Sequence, residues 1–387
     1  MTDWIRVKLS DCLARVERPV NVVQDKHYTQ IGIRSHGKGV FHKESVTGEE
    51  LGNKAVYWVE PDCFVLNIVF AWEQAIGKTT ASEAGMIASH RFPMYRPKKE
   101  LIDIDYLIYF FMTKRGKDVL DAASPGGAGR NRTLGQKTFL NSNIVLPPVA
   151  EQRKIADILS AQDKVIELKT KLLEEKKRLK KYLCQVLLSG KRRFSSFSDK
   201  WKQNPLSDFL TESRLRGSNG KTAKKLTVKL WGKGVTEKKE TLSGSENTAY
   251  FRRTKGQFIY SKLDFLNGAF GIIPDELDGY ESTIDLPAFD VYHISTEFLL
   301  LCVSDAAFYK RNGAIANGGR KAKRINPNDF LSFCINHPSL SEQTSIVDVF
   351  RRVDEVIALC ENEIKQEQFK KKALMQLLLT GKIRVKV

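Results

Sequence analysis

Two short segments of this 387-residue chain have the residue types of phosphate or cofactor chemistry. Gly77-Lys78-Thr79 has the ending of a phosphate-binding loop, but that loop needs a further glycine five positions before Gly77, and Trp72 stands there. Without it the backbone amides cannot wrap a phosphate. Gly127-Ala128-Gly129 has the spacing of a methyl-donor loop, which should follow a strand, yet 118–123 reads as the end of a helix. The chain has no Asn-Pro-Pro-aromatic or Asp-Pro-Pro-aromatic segment to hold a flipped base. Pro61-Asp62 and Pro274-Asp275 lack a downstream Glu-x-Lys, so they read as turns rather than nuclease centres. His27, His36, His42, His90, His293 and His337 show no HxxxH spacing, and no CxxC pair exists among the six cysteines. A catalytic centre, a metal site and a resident cofactor are therefore not expected.

The basic loops suit a different chemistry. Residues 124–132 (SPGGAGRNR) end in Arg130, Asn131 and Arg132, and 317–324 (NGGRKAKR) carry Arg320, Lys321, Lys323 and Arg324. Glycine lets a backbone come close to phosphates. Arg and Asn can bond in pairs to guanine and adenine edges. Arg91, Arg96, Lys98 and Lys99 make a further basic patch. The formal charge of +18, from 63 basic and 45 acidic side chains, favours a polyanionic partner, above all nucleic acid. The apolar runs 64–72 and 298–303 are too short to span a bilayer. Met1-Thr2-Asp3-Trp4-Ile5-Arg6 has no apolar core of a secretion signal, so a cytoplasmic protein with reduced thiols is expected.

These loops sit on a duplicated framework. Glu151-Gln152-Arg153-Lys154-Ile155 recurs as Glu342-Gln343-Thr344-Ser345-Ile346, an offset of 191 residues. The same offset carries Asp163 onto Asp354, Leu183 onto Leu374, Leu187 onto Leu378 and Phe139-Leu140 onto Phe330-Leu331. Near the start of each half, Trp4, Leu9, Ser10 and Asp11 match Trp201, Leu206, Ser207 and Asp208 at an offset of 197. Between these anchors the halves diverge.

Each half therefore reads as a variable mixed domain followed by a long helix. Helix is expected over 105–120, 147–190 and 341–380. Pro147-Pro148 and Pro338 precede the two long ones, and Gly190 and Gly381 stop them. Each long helix is about 40 residues, or roughly 60 Å. Ile346, Phe350, Val353, Ile357, Cys360 and Ile364 alternate by four and three, a heptad seam. In the first helix Gln162, Lys169 and Lys176 interrupt the corresponding frame. One seam per half is best satisfied by pairing the two helices antiparallel within the chain; a homodimer through one helix is the other solution.

The run Leu146-Pro147-Pro148-Val149-Ala150-Glu151-Gln152-Arg153-Lys154-Ile155, its copy from Pro338 to Ile346, and the endings Leu187-Leu188-Ser189-Gly190-Lys191 and Leu378-Leu379-Thr380-Gly381-Lys382 resemble the specificity subunit of type I restriction-modification systems. The second copy has His337-Pro338 in place of Pro147-Pro148. The resemblance implies an α+β chain with two pseudo-symmetric target recognition domains, at 1–146 and 195–337. Two helical segments, at 147–194 and 338–387, would form an antiparallel coiled coil as a spacer. Each recognition domain would read one half of a bipartite, asymmetric double-stranded DNA target. Two modification (methyltransferase) subunits would dock on the helices, with Leu183, Leu187, Leu188, Leu374, Leu378 and Leu379 as the expected contacts. Restriction/translocase subunits would join through the complex. S-adenosylmethionine, ATP and Mg²⁺ would belong to those partners, and this chain would have no catalytic site. The other readings are a self-contained DNA-modifying or DNA-cutting enzyme, and a coiled-coil scaffold that binds no DNA.

Overall fold

The computed structural model describes residues 4–98, 100–126, 132–239, 245–315 and 324–386. The chain divides into two units, Met1–Thr170 with Asn362–Val387, and Lys171–Glu361. Each holds one mixed α+β domain and a length of both long helices. Among the described residues no helix is long and apolar enough to cross a membrane.

In the first unit, Leu13–Val16, Met94–Pro97, Phe64–Leu66 and Ile76–Lys78 form an antiparallel sheet in that order. Phe64, Val65 and Leu66 are all fully buried, because this central strand is covered on both faces. Phe64 and Leu66 face the core built on Phe111 and Phe139, and Val65 faces a second cluster with Ile31 and Met94. In the second unit Leu210–Ser213, Ala288–Val291, Phe258–Tyr260 and Phe270–Ile272 take the same order. Phe258 and Tyr260 again face one core and Ile259 another. The anchor phenylalanines take equivalent places: Phe139 stacks on Phe64 at 6.2 Å, and Phe330 on Phe258 at 5.6 Å. Burying one such ring contributes about 1.5–3 kcal/mol. Two further strand pairs, Ile5–Lys8 with Asn143–Leu146 and Lys202–Pro205 with Cys334–His337, tie the start of each domain to its end.

The helix expected over 105–120 is in fact two, Ile104–Met112 and Lys114–Ala122. Thr113 between them is extended (φ −77°, ψ 164°), and its hydroxyl accepts from the Gly116 amide at 3.1 Å to start the second helix. A Cβ at residue 116 would lie 2.2 Å from the Phe110 carbonyl oxygen, so only glycine permits this corner.

The long helices run from Val149 to Leu187 and from Leu340 to Leu378, 39 residues each. Ile346, Phe350, Cys360 and Ile364 are buried, while Leu359 and Phe369, off the seam, are exposed. Two of the polar residues of the first helix, Gln162 and Lys169, do not interrupt the frame; they lie on it and find partners. Gln162 donates to the carboxylate and the carbonyl of Glu367 at 2.7 and 3.2 Å. Lys169 pairs with Glu363 and Glu367 at 3.2 and 3.3 Å. The helices are antiparallel in each unit: Asp163 meets Lys371 in the first and Asp354 meets Lys180 in the second, both at 2.5 Å. These two ion pairs are the same pair, repeated at the offset of 191.

The Glu-Gln motif explains how a domain is fixed to this scaffold. Glu151 is almost wholly buried and receives two hydrogen bonds from Arg384, at 2.8 and 2.7 Å. Glu342 receives two from Arg193, at 2.9 and 2.6 Å. Thus the first turn of each long helix is clasped to the residues just beyond the end of the other. The neighbouring glutamines turn toward the domains. Gln152 donates to the carbonyls of Leu101 and Pro147 and accepts from the Asp103 amide. Gln343 donates to the Pro338 carbonyl and accepts from the Ser295 amide. Asp103 and Ser295 are the N-caps of helices Ile104–Met112 and Thr296–Ser304. The stop glycines complete the joint. Gly381 (φ 72°) lies against the Trp4 ring and Gly190 (φ 69°) against the Trp201 ring.

Replacing one partner of such a pair strands a buried charge, at a cost of about 3–5 kcal/mol. Arg384→Ala should lower stability by that amount in urea titration, and Arg193→Ala should also shift the urea midpoint downward. Arg178→Ala, which removes only an exposed pair with Glu175, should cost at most about 0.5 kcal/mol. The Arg384 guanidinium holds the Glu151 carboxyl below the usual carboxylate range. Its contribution should therefore be complete above about pH 4.3 and fade as the pH falls through the lowered value.

Candidate nucleic-acid interface

Of the segments that suggested small-molecule chemistry, Gly77-Lys78-Thr79 is structurally satisfied, and Gly127-Ala128-Gly129 lies outside the described residues. Lys78 ends a strand and donates to Asp105 at 2.7 Å, and the buried Thr79 hydroxyl donates to the Glu60 carbonyl at 2.6 Å. Asp62 occupies a turn with φ 54°, and Asp275 begins a single 3₁₀ turn. His42 meets Glu83 at 2.8 Å, and His337 lies between Asn204 and the Pro338 carbonyl. Among the described residues no group of three or more His, Cys, Asp or Glu side chains is placed to hold a metal. Burial pushes the Cys12 thiol up to about 11, away from nucleophilic reactivity.

The basic candidates separate into distinct roles. Arg130, Asn131, Arg320, Lys321 and Lys323 lie outside the described residues, as does Lys99. Arg132 folds inward: it donates to the carbonyls of Ser124 and Asp121 at 3.1 and 3.2 Å, and it lies over the Trp72 ring at 5.4 Å. In this structure Arg132 ties its loop to the preceding helix. Arg96 donates to Glu60 at 2.9 Å, alongside Arg18. These hydrogen bonds, Arg18 first, hold the Glu60 carboxyl below its usual range. Lys98 donates to the Ser10 carbonyl at 3.1 Å. The Arg91 side chain is exposed, with no hydrogen bond or ion pair among the described residues. Among the described residues Arg324 has only a 4.0 Å contact, with Asp285. Arg91, Arg96 and Lys98 thus engage different surroundings. Part of the basic excess is internal: Arg253 is 2% exposed and bonds to Ser282, Ser213 and Leu286, and burial lowers its pKa to about 10.

Of the leucines expected to dock partners, Leu187, Leu378 and Leu379 are buried, and Leu183, Leu188 and Leu374 are half-buried. Leu378 and Leu379 are buried in the first unit's core with Leu9, Ile144 and Leu146. Leu187 is buried in the core of the second, with Leu183 and Leu188 packed against it, and Leu374 packs against the first. The mixed domain in each unit covers these positions, so helix pairing does not leave them over.

A feature absent from the expectations is a repeated hairpin tip. Arg34-Ser35-His36-Gly37-Lys38-Gly39-Val40 corresponds to Lys229-Leu230-Trp231-Gly232-Lys233-Gly234-Val235 at an offset of 195. In the first unit the tip joins strands His27–Ile33 and Val40–Thr47; in the second, Leu226–Val228 and Val235–Glu237. The Arg34 amide donates to the Gly39 carbonyl at 3.0 Å and the Lys229 amide to the Gly234 carbonyl at 2.9 Å. His36 and Gly37 donate to the carbonyls of Glu73 and Gln74; Trp231 and Gly232 donate to those of Asn267 and Gly268. His36 (φ 62°) and Trp231 (φ 60°) share the left-handed conformation. The sequence signal was the shared Gly-Lys-Gly-Val, hidden because its offset differs from that of the helices.

Comparisons with known proteins agree with this architecture. Residues 53–178 match the type I restriction modification DNA specificity domain. The chain is 23% identical, over an alignment of 428 positions, to the type I restriction enzyme MjaVIII specificity subunit of Methanocaldococcus jannaschii, covering 99% of this chain and 94% of that one. Among solved structures, the HsdS subunit from Thermoanaerobacter tengcongensis superposes with a TM-score of 0.57 at 15% identity, over 98% of this chain and 97% of its own. A chain from work on complex assembly and conformational transition of the type I R-M system superposes with a TM-score of 0.61 at 13% identity, over 97% of each. The two structural likenesses establish a shared fold.

The division among arginines is open to test by stability. Arg132→Ala removes two charge-assisted hydrogen bonds and a cation–π contact. It should destabilise the protein by about 1.5–3 kcal/mol in urea titration. Arg91→Ala should change stability by less than about 0.5 kcal/mol.

Proposed function

We infer, from the premise that this chain is a type I restriction-modification specificity subunit, that it is the non-catalytic DNA-reading member of a larger complex. The carrying observation is the duplicated clasp. Two domains with the same sheet order but divergent sequences are each fastened, by the same Glu-Arg pair and the same glutamine, to one shared helix pair. Such a chain holds two different readers on one spacer. The recognition domains, 1–146 and 195–337, each read one half of a bipartite, asymmetric duplex target. Segments 147–194 and 338–387 set the separation of the half-sites. If both domains face one side of the duplex, the half-site centres lie about one helical turn, roughly 10 base pairs, apart. Arg91 and Arg324, with the loops bearing Arg130, Asn131, Arg320, Lys321 and Lys323, supply contacts; Arg96 and Lys98 add charge at the edge.

Catalysis belongs to partners. Two modification subunits bring S-adenosylmethionine, and restriction/translocase subunits bring ATP and Mg²⁺. With Leu187, Leu378 and Leu379 buried and Leu183, Leu188 and Leu374 half-buried, the docking surface extends onto the outward apolar stripe of the helices. Val165 and Leu168 are exposed on the first helix, and their counterparts Val356 and Leu359 are exposed on the second. A face repeated at an offset of 191 suits two copies of one partner.

Exchanging residues 12–130 for those of a related chain should alter one half of the recognised sequence and leave the other intact, as read by methylation mapping with cognate modification subunits. A change in both halves would contradict independent readers. Leu168→Asp with Leu359→Asp should abolish assembly with those subunits in size-exclusion chromatography while leaving the melting temperature within a few degrees. Full assembly would place the docking surface elsewhere.

A further inference from the structure

We propose that the hairpin tips carrying Lys38 and Lys233 are a matched pair of phosphate clamps, one per recognition domain, gripping the DNA backbone without reading sequence. The proposal rests on the DNA-reading role inferred above and extends it to specific residues. Its starting point is that the tips are alike where their domains are not. A group that reads bases should differ between domains that read different half-sites. A group retained in both should meet something common to both, and every half-site shares the sugar-phosphate backbone.

The local chemistry fits an anion. Lys38 and Lys233 are exposed, with no hydrogen bond or ion pair among the described residues. Each is followed by a glycine at positive φ, Gly39 at 74° and Gly234 at 81°. A Cβ on either glycine would meet nothing within 4 Å, so packing does not demand glycine there. The backbone conformation does, and the bare surface lets a phosphate oxygen approach closely. The surroundings of the second tip are basic as well, whereas the groove beside the first holds Asp103, Asp105, Asp157 and Asp163 with Arg153 and Lys371. In the second unit Lys224, Lys229, Lys233, Lys238 and Lys239 lie on or beside this hairpin, against Glu237 alone between 224 and 239.

The tips are also held in place. Gly37 packs on Met112, so closely that a Cβ there would lie 2.1 Å from its sulfur. The turn that receives the His36 and Gly37 amides is itself anchored, because Gln74 donates to the Phe111 carbonyl at 2.8 Å. His36 and Trp231 accept left-handed strain of about 1–3 kcal/mol, a cost seen where backbone geometry serves a function. Each of these residues lines a groove against the helix pair of its own unit. One groove is about 770 Å³ and contains Asp163 and Lys371; the other is about 510 Å³ and contains Lys180 and Asp354. The lysine therefore projects from a fixed tip, so little ordering is required when it meets a phosphate.

The experiment is a salt titration of the full chain with two duplexes, one bearing the target and one of scrambled sequence. Each phosphate contact contributes about 0.9 to the slope of log K against log salt. The double variant Lys38→Ala, Lys233→Ala should lower that slope by about two on both duplexes equally, and Lys38→Arg, Lys233→Arg should restore it. Lys54→Ala with Lys372→Ala, exposed lysines elsewhere, should leave it nearly unchanged. The clamp is wrong if the slope is unaltered, if the controls lower it as much, or if only the target duplex is affected. It is also wrong if DNA binding is intact and assembly with modification subunits fails, which would make the tip a protein contact. Wild-type chain with no salt-dependent binding to either duplex would overturn the DNA-reading role itself, and the clamp with it.

Discussion

The arrangement depends on one buried interaction made twice: a glutamate in the first turn of each long helix, held by an arginine just past the end of the other. Glu151 with Arg384 and Glu342 with Arg193 lock the antiparallel register of the helices from both sides. A buried carboxylate cannot tolerate the loss of its guanidinium, and a one-residue slip of either helix would move the pair apart. The adjacent glutamines then carry this register to the domains through the N-caps at Asp103 and Ser295. Where each domain sits on its helix is decided by backbone hydrogen bonds. The reading surface can diverge in sequence while its mounting stays the same.

The heptad seam adds specificity to that lock. An all-apolar seam tolerates several registers and partners. Gln162 and Lys169 in the seam of the first helix, and Glu363 and Glu367 on the second, are satisfied only in the pairing observed. Isolated polar seam residues of this kind typically fix register at some cost in stability. The repeated Asp-Lys pairs, Asp163 with Lys371 and Asp354 with Lys180, act in the same sense but are partly exposed, so they contribute less.

Much of this was legible in the residues. The 191-residue repeat, the prolines before each helix and the glycines after it mark the scaffold, because helix starts, stops and heptads are local patterns. The match of Phe139 to Phe330 also marked two equivalent cores. Other features depend on contacts distant in sequence. Gln162 and Lys169 look like interruptions until Glu363 and Glu367 lie opposite them. Thr113 breaks a helix because the Gly116 corner lets the chain turn sharply. Leu187 and Leu378 look superfluous to helix pairing until a domain covers them. The hydrogen bonds of Arg132 to Asp121 and Ser124 are likewise not visible in the sequence. The hairpin tips escaped notice for a simpler reason. The offset between halves drifts from 197 at Trp4 to 195 at Lys38 and 191 at Glu151, so no single ungapped comparison aligns them.

A chain with two unlike recognition domains should read two unlike half-sites. The most direct measurement is selection of binding sites by the full chain, with its modification subunits, from a pool of fully randomised duplexes. The predicted result is two short defined blocks of unlike sequence, separated by a run of undefined bases of constant length. A single contiguous block, a palindrome, or two blocks at variable spacing would contradict it.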